Sequence, residues 1–192
     1  MKRTRVLLAA TVLLLFLGDL PMAKSEETAL PPVTAPGDLT GAHDFDFLMG
    51  DWRVHHRVNK AGKGAPWIEF ESDCSERPLM GGRANVEEHR FERPTRIDYG
   101  VAVRTYDPMT ATWAIWWLDS RAPHGDVDPP MKGRFEKGVG TFYSDSTLDG
   151  KPIKVRFLWT SIDRQNARWE QSYSGDGGKT WEVNWIMDFR RV

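Results

Sequence analysis

Phe45-Asp46-Phe47-Leu48-Met49-Gly50-Asp51-Trp52, followed by Val54, His56 and Val58 at every second position, is the stretch whose reading decides the fold. A short apolar knot gives way to Gly50, which lets the chain turn tightly. Alternate residues are then apolar, the period of a strand with one buried face. Trp52, the first large residue of that face, is placed to plug the floor of the structure the strand enters. His56 lies on the same face, between two valines.

Beyond Trp52 the chain continues as alternation and turn punctuation, without a sustained helical period. Strands are predicted at Trp52–Val58, Trp67–Glu76, Arg83–Phe91, Ile97–Tyr106, Trp113–Asp119, Met131–Glu136, Val139–Ser146, Ile153–Ser161, Ala167–Ser174 and Thr180–Arg190. Ile68, Phe70, Ser72 and Cys74 share a face, as do Ile97, Tyr99, Val101 and Val103. Ile153, Val155, Phe157 and Trp159 form another, and Trp181, Val183, Trp185, Met187 and Phe189 the last. Trp113–Asp119 is apolar on both faces, and the inward parity of Arg83–Phe91 stays open. Turns fall at Asp107-Pro108, Lys137-Gly138 and Asp149-Gly150.

This pattern predicts an all-β, up-and-down antiparallel barrel of about ten strands, because closure removes exposed sheet edges. An open sandwich is the alternative. With an even number of antiparallel strands the last returns to the floor where the first began. Arg190 or Arg191 then lies across Trp52, a cation–π contact of roughly 0.5–2 kcal/mol.

The first residues are read apart from this domain. Lys2, Arg3 and Arg5 precede an apolar run from Val6 to Gly18, and Ala23-x-Ser25 supplies small residues for cleavage, so residues 1–25 read as a secretory signal peptide. The apolar run is shorter than a bilayer span, and no membrane insertion is expected after cleavage. Residues 26–43, with Pro31, Pro32 and Pro36, read as a disordered linker, and 44–192 as the barrel domain. A periplasmic or secreted location follows. Cleavage removes four positive charges and one negative, moving the net charge from −1 to −4. That balance does not attract nucleic acid or anionic lipid. Cys74 is the only cysteine, so no disulfide forms within the chain.

Phe47-Leu48-Met49-Gly50-Asp51-Trp52, Tyr106-Asp107-Pro108, Trp116-Trp117-Leu118-Asp119-Ser120 and Gly133-x-Phe135 together resemble a bacterial family of unknown function with a lipocalin-like, calycin-type barrel. The likeness covers roughly Asp44 to Arg191. Ala122–Pro130 and the richness in tryptophan depart from it. The resemblance implies a barrel with a pocket, and it carries no catalytic residues over. Ser174-Gly175-Asp176-Gly177-Gly178-Lys179-Thr180-Trp181 matches a single Asp-box, Ser-x-Asp-x-Gly-x-Thr-Trp. Without the repeats of a propeller it reads as a structural turn held by Asp176.

With Trp52 at the floor, the rim consists of Asn59–Pro66, Glu92–Arg96, Ser120–Pro130, Asp149–Pro152 and Gly175–Gly178, where ligands reach small barrels. The candidate ligand-binding residues are His56, Tyr99, Trp117, Asp119, Tyr143, Tyr173 and Trp181. A carboxylate beside His56, either Asp119 or an inward Glu88, would make an acid–base pair. Burial alone would keep His56 neutral. Haem held by His56 or His89 is a weaker reading. His124, Asp126 and Asp128 lack the spacing of a zinc or calcium site, so no metal or cofactor is expected. Nine tryptophans either line a cavity or fill it.

The expected function is an exported barrel that binds a small apolar or aromatic ligand. The rival is an enzyme at the barrel mouth, using a His–carboxylate pair on a small hydrophobic substrate. The two separate on whether His56 reaches Asp119 or Glu88 beside an open cavity. A third reading, a structural partner in the envelope, would rest on Trp67 or Trp116 facing outward.

Overall fold

The computed structural model describes residues 37–59 and 64–192. The expected signal peptide, most of the expected linker and part of the Asn59–Pro66 turn lie outside them. Ten antiparallel strands close into a barrel: β1 (Gly50–Val58), β2 (Ile68–Leu79), β3 (Ala84–Arg93), β4 (Arg96–Asp107), β5 (Thr112–Asp119), β6 (Met131–Glu136), β7 (Val139–Leu148), β8 (Lys151–Ser161), β9 (Asn166–Ser174) and β10 (Glu182–Arg191). Each strand pairs with its sequence neighbours, and β1 pairs with β10 to complete the ring. The wall therefore leaves no free edge strand.

The closing seam is the one the sequence implies. Trp52 stands opposite Arg191 in the β1–β10 register. The Arg191 guanidinium carbon lies 4.1 Å from the Trp52 ring centroid. Its two terminal nitrogens donate to the Met49 and Phe47 carbonyls at 2.7 and 2.8 Å. The Trp52 indole in turn donates to the Leu48 carbonyl at 2.6 Å. One arginine and one indole thus tie the last strand, the first strand and the segment beneath them.

That segment forms the floor. Two short 3-10 helices, Thr40–His43 and Asp46–Leu48, bury Ala42, Phe45 and Leu48 against the interior. Phe45 meets Trp113, Phe135 and Trp159 edge-on, with ring centroids 4.9–5.9 Å apart. The last residues of the expected linker belong to this plug. Asp38 donates its amide to the Pro108 carbonyl and accepts from the Tyr106 hydroxyl, and Trp113 donates to the Gly41 carbonyl. A segment with these contacts is part of the domain, so the ordered unit begins before Asp44. Its short apolar residues gave no periodicity from which to read this.

Parity inside the wall follows the sequence for β1, β2 and β8, and differs for β4 and β10. In β4 the inward residues are Asp98, Gly100, Ala102, Arg104 and Tyr106, while Ile97, Tyr99, Val101 and Val103 face out. Small residues are needed inside because the Trp117 indole folds across them. A Cβ on Gly100 would stand 2.2 Å from that ring. In β10 the register with β9 jumps between Val183 and Trp185, a β-bulge. Trp185, Met187 and Phe189 face in, but the extra residue turns Val183 and Trp181 to the outside. β3 settles in odd parity: Asn85, Glu87, His89 and Phe91 are buried and Glu88 is exposed.

Among the described residues, no helix is long and apolar enough to cross a membrane.

Candidate functional site

Two features of the interior meet at mid-height: an apolar cavity under the rim, and a column of polar side chains buried in the wall beside it. The cavity measures about 420 Å³. Phe91, Ile115, Trp117, Met131, Val155, Phe157, Trp169, Tyr173, Trp185 and Met187 supply apolar and aromatic wall. Asp128 and Pro129 of the long loop, with Ser144–Thr147 of β7, stand at its mouth, while Glu87, Arg104 and Trp159 line its deep end.

The polar column is built by four adjacent strands. β1 contributes His56, β2 Ser72 and Glu76, β3 Asn85, Glu87 and His89, and β4 Arg104, all buried. Antiparallel register brings them together: Val54 opposes Ser72 and His56 opposes Phe70 on β2, and His89 opposes Gly100 on β4. Inward residues two apart along a strand meet those of its neighbour across the pleat.

The hydrogen bonds run in one direction. The Trp185 indole N–H, a donor only, reaches His56 Nδ1 at 3.2 Å. Burial lowers the His56 pKa well below its ordinary value, so the ring is neutral and its single proton sits on Nε2. That proton is donated to Ser72 Oγ at 2.8 Å. The Ser72 hydroxyl then has its own proton to give to His89 Nδ1, 3.0 Å away. His89 Nε2 donates to Glu87 Oε1 at 2.9 Å. Every donor in this chain points toward the Glu87 carboxylate, and aligned bonds of this kind reinforce one another.

Arg104 closes the column from the floor side. It donates to Glu87 Oε2 at 2.5 Å, Glu76 Oε1 at 2.7 Å and Asn85 Oδ1 at 3.0 Å. Its guanidinium carbon also lies 4.8 Å from the Phe45 ring centroid. Burial pushes the Glu87 carboxyl up, but the Arg104 charge and then His89 outweigh it, holding Glu87 below the usual carboxylate range. Glu76 goes the other way: burial dominates and pushes it up to about 8. Burial thus favours the neutral form of Glu76, and Glu87 is the carboxylate that balances the Arg104 charge.

Cys74 Sγ, a Glu87 oxygen and a His89 nitrogen lie within 4.8 Å of one another. The donor types suit a borderline-soft divalent cation. Such an ion would have to displace hydrogen bonds that Glu87 and His89 make within the column. Both ring nitrogens of His56 and of His89 are engaged in the column, which also leaves neither histidine a free lone pair for haem iron.

Of the residues singled out from sequence, Trp117 and Tyr173 line the cavity. His56 faces inward as expected, but it is walled off, stacked 4.6 Å from Phe70 and bonded to Ser72 and Trp185. It bonds neither Asp119 nor Glu88, so the acid–base pair expected at His56 does not form, and an enzyme built on that pair is ruled out. Asp119 stands at the rim, where Arg121 binds it and holds its carboxyl down to about 2. Tyr99, 46% exposed, and Tyr143, 49% exposed, face solvent on the outer wall. Trp181 joins them there, 5.8 Å from Tyr143 and under the Arg156 guanidinium at 4.5 Å. Those three take no part in the cavity. Trp67 is exposed, and Trp116 lines a groove on the outer surface of β4 to β7.

Glu87, His89, Ser72, Glu76 and Arg104 were missed as a group. Polar residues occupy both parities of β3, so alternation there carries no signal, and the apolar face of β4 pointed attention to the wrong side. The Asp-box behaves as a structural turn: Asp176 accepts from the Lys179 and Thr180 amides and from the Thr180 hydroxyl, and Ser174 Oγ accepts from the Gly178 amide.

No protein-family model matches the chain, and no curated protein matches its sequence. The fold and the site therefore rest on this molecule's own geometry.

Proposed function

We propose that this barrel takes a small apolar or aromatic molecule into its cavity and acts on it through the buried His89–Glu87 pair. The position of Glu87 carries this reading: the carboxylate that lines the cavity is also the terminus of the one-way chain through His89, Ser72 and His56. A container for apolar ligands has no need of an arginine, two glutamates and two histidines in its wall, since desolvating such groups costs several kcal/mol per ion before pairing offsets it. Titratable groups shifted in opposite directions beside a cavity are the usual mark of a working site.

In this reading Glu87 is the group that meets the substrate. Arg104 keeps it ionised in apolar surroundings, where a fixed negative charge orients a donor and stabilises positive charge that develops during reaction. His89 fixes the carboxylate's orientation, and Ser72 and His56 hold His89 in the tautomer that donates to it. The chemistry proposed is electrostatic: a fixed carboxylate, braced by His89, that orients a donor group of a small hydrophobic substrate and stabilises positive charge developing on it.

Passive binding is the second reading. It is favoured by the column's internal pairing, in which His56, Ser72 and His89 each find partners within the protein. Native mass spectrometry of protein from its own cells, as wild type and as Glu87→Gln, decides between the two. A different bound mass on the variant supports catalysis. The same mass on both supports binding alone, and no bound molecule on either overturns both.

The lipocalin-like assignment is likewise proposed, supported by the Trp52–Arg191 closure and the 3-10 plug under the barrel. Export to the periplasm or medium is proposed from the basic head and apolar run of residues 1–25.

A further inference from the structure

Two polar hydrogens at the deep end of the cavity have no partner among the described residues. They belong to Arg104 Nε and Trp159 Nε1, each buried without a hydrogen bond. Both residues line the cavity and both are 1% exposed. They adjoin one another, with the Arg104 guanidinium carbon 5.0 Å from the Trp159 ring centroid.

Arg57 Nε, Asn59 Oδ1, Glu76 Oε2, Arg156 Nε and Ser172 Oγ are also buried without a partner, but of these seven residues only Arg104 and Trp159 line the cavity. The indoles of Trp52, Trp113 and Trp185 each find an acceptor, in Leu48, Gly41 and His56. Both terminal nitrogens of Arg104 are used on Glu76, Asn85 and Glu87. Native interiors pair buried polar groups with few exceptions, and an exception asks for an explanation. Trp159 is locked by ring contacts with Phe45, Trp169 and Phe189, so its N–H is held without a partner of its own.

We infer that the molecule this cavity takes is an aryl carbonyl compound, whose neutral carbonyl oxygen accepts hydrogen bonds from Arg104 Nε and Trp159 Nε1. The inference rests on the reading that the cavity binds a small apolar or aromatic molecule. Both unpartnered groups are donors with no lone pair to offer, so the ligand atom between them is an acceptor. An oxygen with two lone pairs and no proton of its own meets both and leaves nothing unpaired. The oxygen is neutral because the Arg104 charge is already balanced by Glu87, beside which a second anion would be repelled. Burial favours the neutral form of Glu76, which leaves Glu87 as the counter-charge. The aromatic wall of Phe157, Trp169, Trp117 and Tyr173 fits a flat ring as the body of the molecule.

The test is calorimetric titration of the whole protein with three probes of one shape: 2-acetonaphthone, 2-ethylnaphthalene and 2-naphthoate. The ketone is expected to bind at least tenfold more tightly than the hydrocarbon and the anion. Trp159→Phe is expected to weaken the ketone more than the hydrocarbon, so that the ratio of their affinities falls towards one. Infrared spectra of carbonyl-labelled ketone on the wild type give a readout that needs no variant, and a lowered C=O stretch on binding is expected. Equal affinity for ketone and hydrocarbon, or an unshifted stretch, overturns the inference and leaves the cavity reading standing. Tightest binding of naphthoate overturns the neutral oxygen. If no probe binds, the cavity reading fails and the inference falls with it.

Discussion

With its guanidinium shared among Glu76, Asn85 and Glu87, Arg104 is a buried charge whose removal strands Glu87 as a carboxylate in an apolar interior. Breaking such a pair from one side typically costs about 3–5 kcal/mol. Arg104→Ala is therefore expected to destabilise the barrel by about that amount in urea denaturation. Replacing the whole group together, as Arg104→Met with Glu76→Gln and Glu87→Gln, should recover most of the loss, because no charge is then left unpaired. A second expectation concerns pH. Glu76 has an ordinary value of 4.5 and is pushed up to about 8 in the fold. Between those values the native state holds a proton that the unfolded chain has lost, so this group's contribution falls as pH rises toward 8. His56 acts in the opposite sense: its pKa is lowered in the fold, so stability linked to it is lost as pH falls below its ordinary 6.5. Glu87 is also lowered, and its contribution is lost only at more acidic pH. Above about 6.5 the Glu76 slope is opposed by neither. Urea midpoints measured from pH 6.5 to 8.5 should fall for the wild type and stay nearly level for Glu76→Gln. A flat wild-type profile would mean that Glu76 is ionised in the fold.

At the scale of the strand, small residues and one extra residue decide what faces in. Gly100 is inward so that Trp117 can lie across β4, and Gly100→Ala puts a methyl where the indole already is. Overpacking of this kind costs about 1–3 kcal/mol. The expected result is that loss in denaturation, with tryptophan emission shifted to longer wavelength as Trp117 swings toward solvent. Asp176→Ala tests the opposite kind of element. It removes the bonds that close the turn after β9, and it should lower the thermal midpoint while leaving ligand affinity in the cavity unchanged. The same particulars explain what the sequence could and could not reveal. β1 and β8 alternate cleanly because one face is apolar and the other charged, and the Trp52–Arg191 contact follows from strand number alone. β4 misleads because its large apolar residues lie outside and its inward face is Asp, Gly, Ala and Arg. The bulge at Val183/Trp185 leaves no mark in an alternating pattern, yet it places Trp181 on the opposite face from Trp185. The buried column is a property of four strands in register, and no single stretch of chain displays it.

At the scale of the molecule, the barrel wall is not uniform, and its weak place adjoins the cavity mouth. β6 pairs with β5 only through Trp113, Ala114 and Ile115. Trp116 to Asp119 pair with β4 on one side, and the ladder to β6 stops before them on the other. The long loop leaves β5 at this point, and its Asp128 and Pro129 reach the cavity. By contrast β3 and β4 are paired along their whole length, from Ala84–Thr105 to Arg93–Arg96. Segments with fewer ladder bonds open at lower free energy than the body of the sheet. A molecule that enters under the rim has its lowest barrier where the wall needs least breaking, so access is expected between the upper part of β5 and the loop above β6. Hydrogen exchange read by mass spectrometry tests this directly. Peptides covering Trp116–Asp119 should exchange well before those covering Val101–Tyr106, and saturation with 2-acetonaphthone should slow the first set while leaving the second unchanged. Uniform protection around the ring would place the access route elsewhere on the rim. Slowing confined to Asn59–Pro66 would move it to the β1–β2 side, where Phe70 and Arg93, stacked at 4.4 Å, close the top of the wall.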